Sequence, residues 1–518
     1  MKYRVLYIFI FTIGLLSCQL KQPEENTPTI ATVPTNLWVD QTSVYLPETA
    51  EWTNRVEVAD LNGDSLPDLI FANGGNYSEP GTLEGSRVFL NNGGDQRFTE
   101  ISKEVFGEEK YYARVIKTAD LNQDGNMDFL IGATFQHQSQ LYLGMGEGKF
   151  QKVTTTHLPQ KEASIGDLEF GDVDQDGDLD VMLVDWGPGS NMSNSGGTTL
   201  LWLNDGSGKF TDVTESQMPE MLIQFSWELD FIDYDNDFDL DVAISCKRCG
   251  NSLLFENDGN GVFMNKRRAF PAYTNNYEFE PMDVNKDGFL DLITINDGEI
   301  VDQISWSRRE HIFLNDSAKR FLDATAQLWP DSANIGEDDN NIAFLDYDSD
   351  GDADFLVSSL TGEDRLQIND GDGNFSLAQP VLEGKATPHT LSLVLSDLNR
   401  DGKLDIVMGQ GEGRENIEER IFIGHSLSKD SAPPIISHYR IDPVNTETMV
   451  LKARIHDHKS PLMPLDWKSV SAHVNGKTLR MTWYGEYLWR VELPVTKEEI
   501  ELCATDFAGN TTCLKVKP

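Results

Sequence analysis

Several things are scarce in this chain. Only 5 of its 518 residues are cysteine, which excludes a disulfide-dense scaffold. Bases number 42 against 85 acids, for a formal net charge of −43. That balance argues against nucleic acid or an anionic membrane surface as a partner. After the first seventeen residues no apolar run is long enough to cross a bilayer. Neither a G-x-S-x-G nucleophile elbow nor an HExxH zinc helix occurs. What remains is ample material for a core, with 39% hydrophobic and 10% aromatic residues, and acids spread between apolar stretches rather than gathered in one tail.

Residues 1–17 read as an export leader, with Lys2 and Arg4 ahead of an apolar stretch from Val5 to Leu16. Leu15-Leu16-Ser17-Cys18 resembles the bacterial lipobox, which implies lipidation of Cys18 and a membrane held through acyl chains alone. An ordinary secretory signal with an incidental cysteine is the alternative. Residues 18–35 are expected to be a tether, rich in Pro and Thr without periodicity. The implied location is the outer membrane or cell surface, or a periplasm-facing leaflet. In that oxidising setting Cys503 and Cys513, flanking ATDFAGNTT, are expected to form a cross-strand disulfide. Cys246 and Cys249 form an isolated CxxC, read as a short-loop disulfide with free thiols as the alternative.

Between residues 60 and 405 one motif occurs seven times: DLNGDSLPD, DLNQDGNMD, DVDQDGDLD, DYDNDFDLD, DVNKDGFLD, DYDSDGDAD and DLNRDGKLD, starting at 60, 120, 172, 233, 283, 346 and 397. Such spacing indicates a repeat architecture. Each copy lies between two short apolar runs, as in VEVAD and DLIFA, and therefore reads as a hairpin. A second signature follows each, as in LWLNDGSGKF, whose Asn/Asp/Gly turn joins a third strand to a fourth. Four strands per repeat predict an all-β, seven-bladed β-propeller. The seventh repeat lacks its fourth strand, while Trp38-Val-Asp40-Gln-Thr42 repeats the pattern of Phe210-Thr-Asp212-Val-Thr214. The N-terminal strand is thus expected to complete the last blade and remove the unpaired edges.

Oxygen-bearing side chains recur at motif positions 1, 3, 5 and 9, while position 7 varies freely, as a backbone carbonyl ligand permits. Hard oxygen ligands without His or Cys select calcium or another hard cation over zinc or copper. The candidate ligand sets are Asp60, Asn62, Asp64, Leu66 and Asp68; Asp120, Asn122, Asp124, Asn126 and Asp128; Asp172, Asp174, Asp176, Asp178 and Asp180; Asp233, Asp235, Asp237, Asp239 and Asp241; Asp283, Asn285, Asp287, Phe289 and Asp291; Asp346, Asp348, Asp350, Asp352 and Asp354; and Asp397, Asn399, Asp401, Lys403 and Asp405. Up to seven structural ions follow. A divalent ion would offset the repulsion among carboxylates so closely spaced. An EF-hand would need a bidentate Glu at position 12, where apolar residues or Thr stand instead. The pattern resembles the FG-GAP or VCBS-type calcium-binding repeat of integrin-α-like propellers. Plain Asx-turns are the alternative, with Ser65 and Phe238 in place of the position-6 glycine marking the two weakest loops.

SAPP at 431–434 marks a linker, giving a repeat body of residues 36–430 and a second unit of residues 431–518. That unit alternates apolar and polar residues as a small β-sandwich does, and its ATDFAGN resembles the end of bacterial Ig-like modules. His456-Asp457-His458 is read as a surface loop. The connections between second and third strands, at the end opposite the aspartate loops, are long and irregular. Such loops on a rigid scaffold often bind ligands. Tyr77, Phe135, His137, Trp186, Trp306, Arg308, Arg309 and Arg414 are candidates there, aromatics for sugar rings and arginines for carboxylates. The expected function is a non-catalytic, calcium-stabilised surface lipoprotein binding a glycan or protein. A propeller-type polysaccharide lyase or hydrolase, and an accessory subunit of an outer-membrane complex, are the alternatives.

Overall fold

The computed structural model describes residues 36–518 except 76–79, 95, 190–193, 248–250, 273–275, 297–298, 302–303, 308, 318, 379–380, 383–388 and 412–417. The leader, the tether and Cys18 lie outside the described residues, as do Tyr77, Cys249, Arg308 and Arg414. Among the described residues no helix is long and apolar enough to cross a membrane.

The chain is all-β. Among the described residues between Trp38 and Gly424 there are seven four-stranded antiparallel sheets, each read outward in chain order except the last. The seven innermost strands are Thr53–Ala59, Ala113–Ala119, Ile165–Gly171, Ser226–Ile232, Asn276–Met282, Asp339–Leu345 and Thr390–Ser396. Each packs beside the next, and the seventh packs beside the first. The arrangement is that of a propeller.

Apolar alternation explains why these segments are strands, and neighbouring sheets bury one another's faces. Each sheet's second strand, such as Asp68–Asn73 or Asp354–Ser359, is buried on both sides and so reads as a continuous apolar run rather than an alternating one. The seventh sheet has the order Trp38–Asp40, Arg420–Gly424, Asp405–Gln410, Thr390–Ser396, with Trp38 paired to Gly424 and Asp40 to Phe422. Trp38 is fully buried there and donates its indole N–H to the Leu404 carbonyl at 2.8 Å. The two ends of the repeat region are therefore one sheet.

An asparagine at the end of the third strand stitches sheets together. Asn204 Nδ2 donates to the Leu121 carbonyl at 2.8 Å, Asn257 to Val173 at 2.8 Å, Asn315 to Tyr234 at 2.6 Å and Asn369 to Val284 at 3.2 Å. Asn91 makes the same bond to Leu398 at 2.8 Å, joining the first sheet to the seventh. All five side chains are buried, where a missing partner would be costly.

Residues 435–516 form two further four-stranded sheets around their own core of Leu451, Ala453, Ile455, Val470, Leu502 and Ala504 among others. Cys503 and Cys513 face one another across two of these strands and are bonded, with S–S 2.01 Å and Cα–Cα 4.2 Å. His456 and His458 are each only 4% exposed, which corrects the surface-loop reading of that segment. Their strand end meets the repeat body through Tyr487, which packs on His456 at 5.7 Å and donates its hydroxyl to the Pro281 carbonyl at 2.8 Å.

Candidate metal centres and the central chamber

The seven aspartate loops share one backbone. Position 4 has positive φ in every copy, from 58° at Gln123 and Lys286 to 83° at Gly63. Position 6 is also left-handed throughout: Gly125, Gly177, Gly288, Gly351 and Gly402 take values of 85° to 115°, and Ser65 and Phe238 take 66° and 67°. The two copies without glycine therefore fold as the others do. Phe238 is 3% exposed against Tyr484 and Leu488 of the C-terminal sheets, so its burial there offsets the strain of a left-handed bulky residue.

Each loop is organised around its first and last aspartates. The position-1 carboxylate accepts the position-6 N–H, for example Gly125 to Asp120 at 2.9 Å and Ser65 to Asp60 at 2.8 Å. The position-9 aspartate is buried in all seven copies, and its Oδ1 takes a backbone N–H from the end of the third strand, such as Asn91 to Asp68 at 2.7 Å. Burial raises these groups well above the usual carboxylate range: Asp68, Asp180 and Asp405 to about 8, and Asp128 to about 7. Neighbouring loop aspartates push the same way. A cation supplied to the loop reverses that penalty.

The donor set fits such a cation. Oxygens of Asp233, Asp235, Asp237 and Asp241 lie within 4.8 Å of one another, as do those of Asp172, Asp174 and Asp180 and of Asp346, Asp348 and Asp354. Asp172 Oδ1, Asp235 Oδ1 and Asp241 Oδ2 are buried without a hydrogen-bond partner. Calcium, a hard ion taking six to eight oxygens, suits these groups, and positions 1, 3, 5 and 9 with the position-7 carbonyl would hold it. In the remaining four copies an asparagine replaces the position-3 aspartate.

Position-7 side chains stand outside these clusters and tie loops to one another. Asp178 accepts from Gln123 Nε2 at 2.6 Å, Asp239 accepts from Gln175, and Asp352 pairs with Lys286. Position 4 of one loop thus reaches position 7 of the next. Arg400, at position 4 of the last loop, reaches the Ser65 carbonyl of the first at 2.6 Å.

The C-terminal sheets sit on this loop face, a contact that nothing in the sequence reading anticipated. Arg454 donates to Asp233 Oδ2 at 2.9 Å with both side chains buried, and Arg490 pairs with Asp172. Arg440 Nη1 and the Tyr484 hydroxyl donate to the carbonyls of Asp237 and Phe238 at 2.8 and 3.0 Å. Two first-position aspartates therefore already face an arginine, and Lys319 meets Asp235 as well.

Beneath the C-terminal sheets a cavity of about 720 Å3 runs into the ring. The inner strands line it with residues five and three places before each motif: Arg55 and Glu57, Lys117, Glu169, Glu228 and Asp230, Glu278 and Glu280, with Asn341, Ser392 and Val394. Asp167 joins through an ion pair with Arg55 at 3.7 Å. Trp483, Trp489, Glu486 and Arg490 of the C-terminal sheets form the roof. Burial raises Glu228, Asp230 and Glu278, and neighbouring carboxylates push each of them further up. The signal was present as charged residues alternating in strands otherwise apolar, as in Glu228-Leu-Asp230 and Glu278-Phe-Glu280.

Among the described candidate ligand residues at the other end of the sheets, Phe135 and His137 meet at the Tyr112 ring. Trp186 is fully buried and stacks on Trp227 at 4.9 Å, which removes it from any accessible face and corrects that assignment. His137 is half-buried, its ring 4.8 Å from Tyr112, and its Nδ1 lies 2.9 Å from the Phe135 carbonyl. Phe135 packs edge-on against Tyr112 at 5.7 Å. Arg309 pairs with Asp331 at 2.9 Å. Trp306 lies in the strand Ile304–Ser307, and its side chain is outside the described set. Cys246 is disulfide-bonded.

The model of the FG-GAP-like repeat matches residues 60–131, 120–183, 233–294 and 346–408. These four segments are similar to the FG-GAP-like repeat. The matched segments start at the first, second, fourth and sixth aspartate motifs. Similar solved structures include two of a protein titled BBS1N in complex with ARL6DN, one soaked with mercury and one with lead. The first is 9% identical with a TM-score of 0.45, covering 76% of this chain and 99% of that one. The second is 10% identical with a TM-score of 0.41, covering 77% and 100%. No curated protein matches the chain.

Proposed function

We propose that the chain is an exported, calcium-stabilised binding protein: a seven-bladed propeller of FG-GAP type with an Ig-like sandwich behind it, anchored through Cys18, that takes a glycan or protein on the face opposite the aspartate loops. One observation carries this reading. The C-terminal sheets cover the loop face through Arg454, Arg490 and Tyr484, so the end bearing the irregular connections is the one left open. Rigid sheets with long loops at one end are a common platform for recognition.

The calcium part rests on the clustered carboxylates and their unpartnered oxygens. The anchor rests on the sequence around Cys18 alone. A glycan array and a pull-down from surface extracts, each run with calcium and with chelator, test the binding role. Retention that needs calcium supports it, and an empty array with an empty pull-down in both buffers overturns it. Membrane fractionation of Cys18→Ala tests the anchor, with unchanged partitioning as the contrary result.

A further inference from the structure

Apart from the seven loops, a further carboxylate cluster stands where the repeat body meets the C-terminal sheets. Asp430 follows the seventh sheet, Asp457 follows the strand Thr448–His456, and Asp506 ends the strand Ile500–Asp506. An oxygen of each lies within 4.8 Å of the other two. No histidine or cysteine belongs to the group, so the donors are all hard oxygens.

Asp506 provides the independent sign of a missing partner. Its side chain is 99% buried, given 1% exposure of the residue, and its Oδ1 accepts the N–H groups of Gly509 at 2.6 Å and Asn510 at 2.9 Å. Its Oδ2 is buried with no hydrogen-bond partner and is the oxygen left for the cluster. An ionised oxygen without a partner in the interior is costly, and such groups usually pair or bind metal.

The neighbouring bases are engaged elsewhere. Lys459 gives its ammonium to Asp466 at 3.0 Å and to the Pro461 carbonyl at 2.8 Å. Arg400 lies over the Phe507 ring at 3.6 Å and donates to the Ser65 carbonyl. A cavity of about 90 Å3 lined by Asp430, Asp457, Lys459, Asp466 and Phe507 adjoins the cluster. At about 30 Å3 for each water, it has room for a few waters to complete an ion's shell. Asp430 is itself fixed by its N–H to the Gly402 carbonyl of the seventh loop at 2.8 Å.

We propose that Asp430, Asp457 and Asp506 bind one calcium-class divalent cation that fastens the C-terminal sheets to the seventh aspartate loop. The ion would join three chain segments, the one after the seventh sheet and two from the C-terminal sheets. Its ligands lie outside the repeat motif, so the proposal stands apart from the loop sites.

The full chain, stripped of metal and dialysed against radioactive calcium, gives a count of bound ions. Asp430→Asn and Asp457→Asn keep the side-chain shape and are each expected to bind one ion fewer than the parent, with a smaller rise in melting temperature on adding calcium. A loop variant, Asp124→Asn, serves as the comparison. If it lowers the count while both junction variants bind as many ions as the parent, the junction site is overturned and the loop reading stands. If the junction variants lower the count and Asp124→Asn does not, the reverse holds.

Discussion

At the scale of single residues, the most consequential contacts are those between the arginines of the C-terminal sheets and the loop aspartates. Arg454 and Asp233 are 1% and 0% exposed, so neither can turn to water when the other is lost. Arg454→Ala should destabilise the calcium-free protein by about 3–5 kcal/mol, the usual effect of stranding a buried charge. Urea denaturation measures this. Calcium should reduce the loss, since an ion in the loop can neutralise Asp233 in the arginine's place. The stitching asparagines offer a cleaner case, because Asn257 and the Val173 carbonyl it meets are uncharged. Asn257→Ala should lose about 1–3 kcal/mol by leaving that carbonyl unsatisfied, with no change in the number of calcium ions bound. The aspartates were legible because their spacing repeats. Asn204 stands in the LWLNDGSGKF signature, yet the role of these asparagines was hidden, since the partner carbonyls lie 81 to 85 residues away in sequence for four of them and 307 for Asn91.

At the scale of elements, strand positions follow from short apolar runs between turn residues, and closure by Trp38-Val-Asp40 could be read from one missing strand and one orphan pattern. Register confirms the pairing of Trp38 with Gly424. Trp38→Ala should lower stability by about 3–5 kcal/mol, as truncating a buried tryptophan does. The change should also raise amide exchange in Arg420–Gly424 before it does so in the other sheets, which hydrogen-exchange mass spectrometry can follow. Charged residues in the inner strands were passed over because those strands read as core. In a ring of sheets the innermost strands have one side turned to the axis, and Glu228 and Glu278 occupy that side. Trp186 failed the opposite way, as a loop aromatic that the fold draws inward onto Trp227.

At the scale of the whole molecule, the seating of the C-terminal sheets on the loops could not be read at all. It depends on side chains brought together by folding, with no periodicity to betray it. The acid balance acts at this scale too. Asp68, Asp180 and Asp405 are raised to about 8 and Asp172 and Asp346 to about 6, in each case chiefly by burial. Unfolded aspartates titrate near 3.9. A group whose folded pKa is raised keeps its proton longer in the folded state. Its stabilising share is complete below about pH 4 and is lost as pH climbs through 6 to 8. The metal-free protein should therefore melt at progressively lower temperature across that window. Calcium binds the ionised carboxylates, so the gap between melting curves with and without it should widen over the same range. A gap that stays constant from pH 5 to pH 8 would count against metal in the loops.

The shared seventh sheet also governs when the molecule can come into being. A ribosome releases Trp38 long before Phe422 exists, and until that later segment arrives the early strand has no neighbour to zip against. The hoop locks only once nearly the whole repeat region has emerged. Cells making this protein must keep an adhesive β-edge quiet throughout that interval, and a truncated transcript ending before residue 420 would leave it open for good.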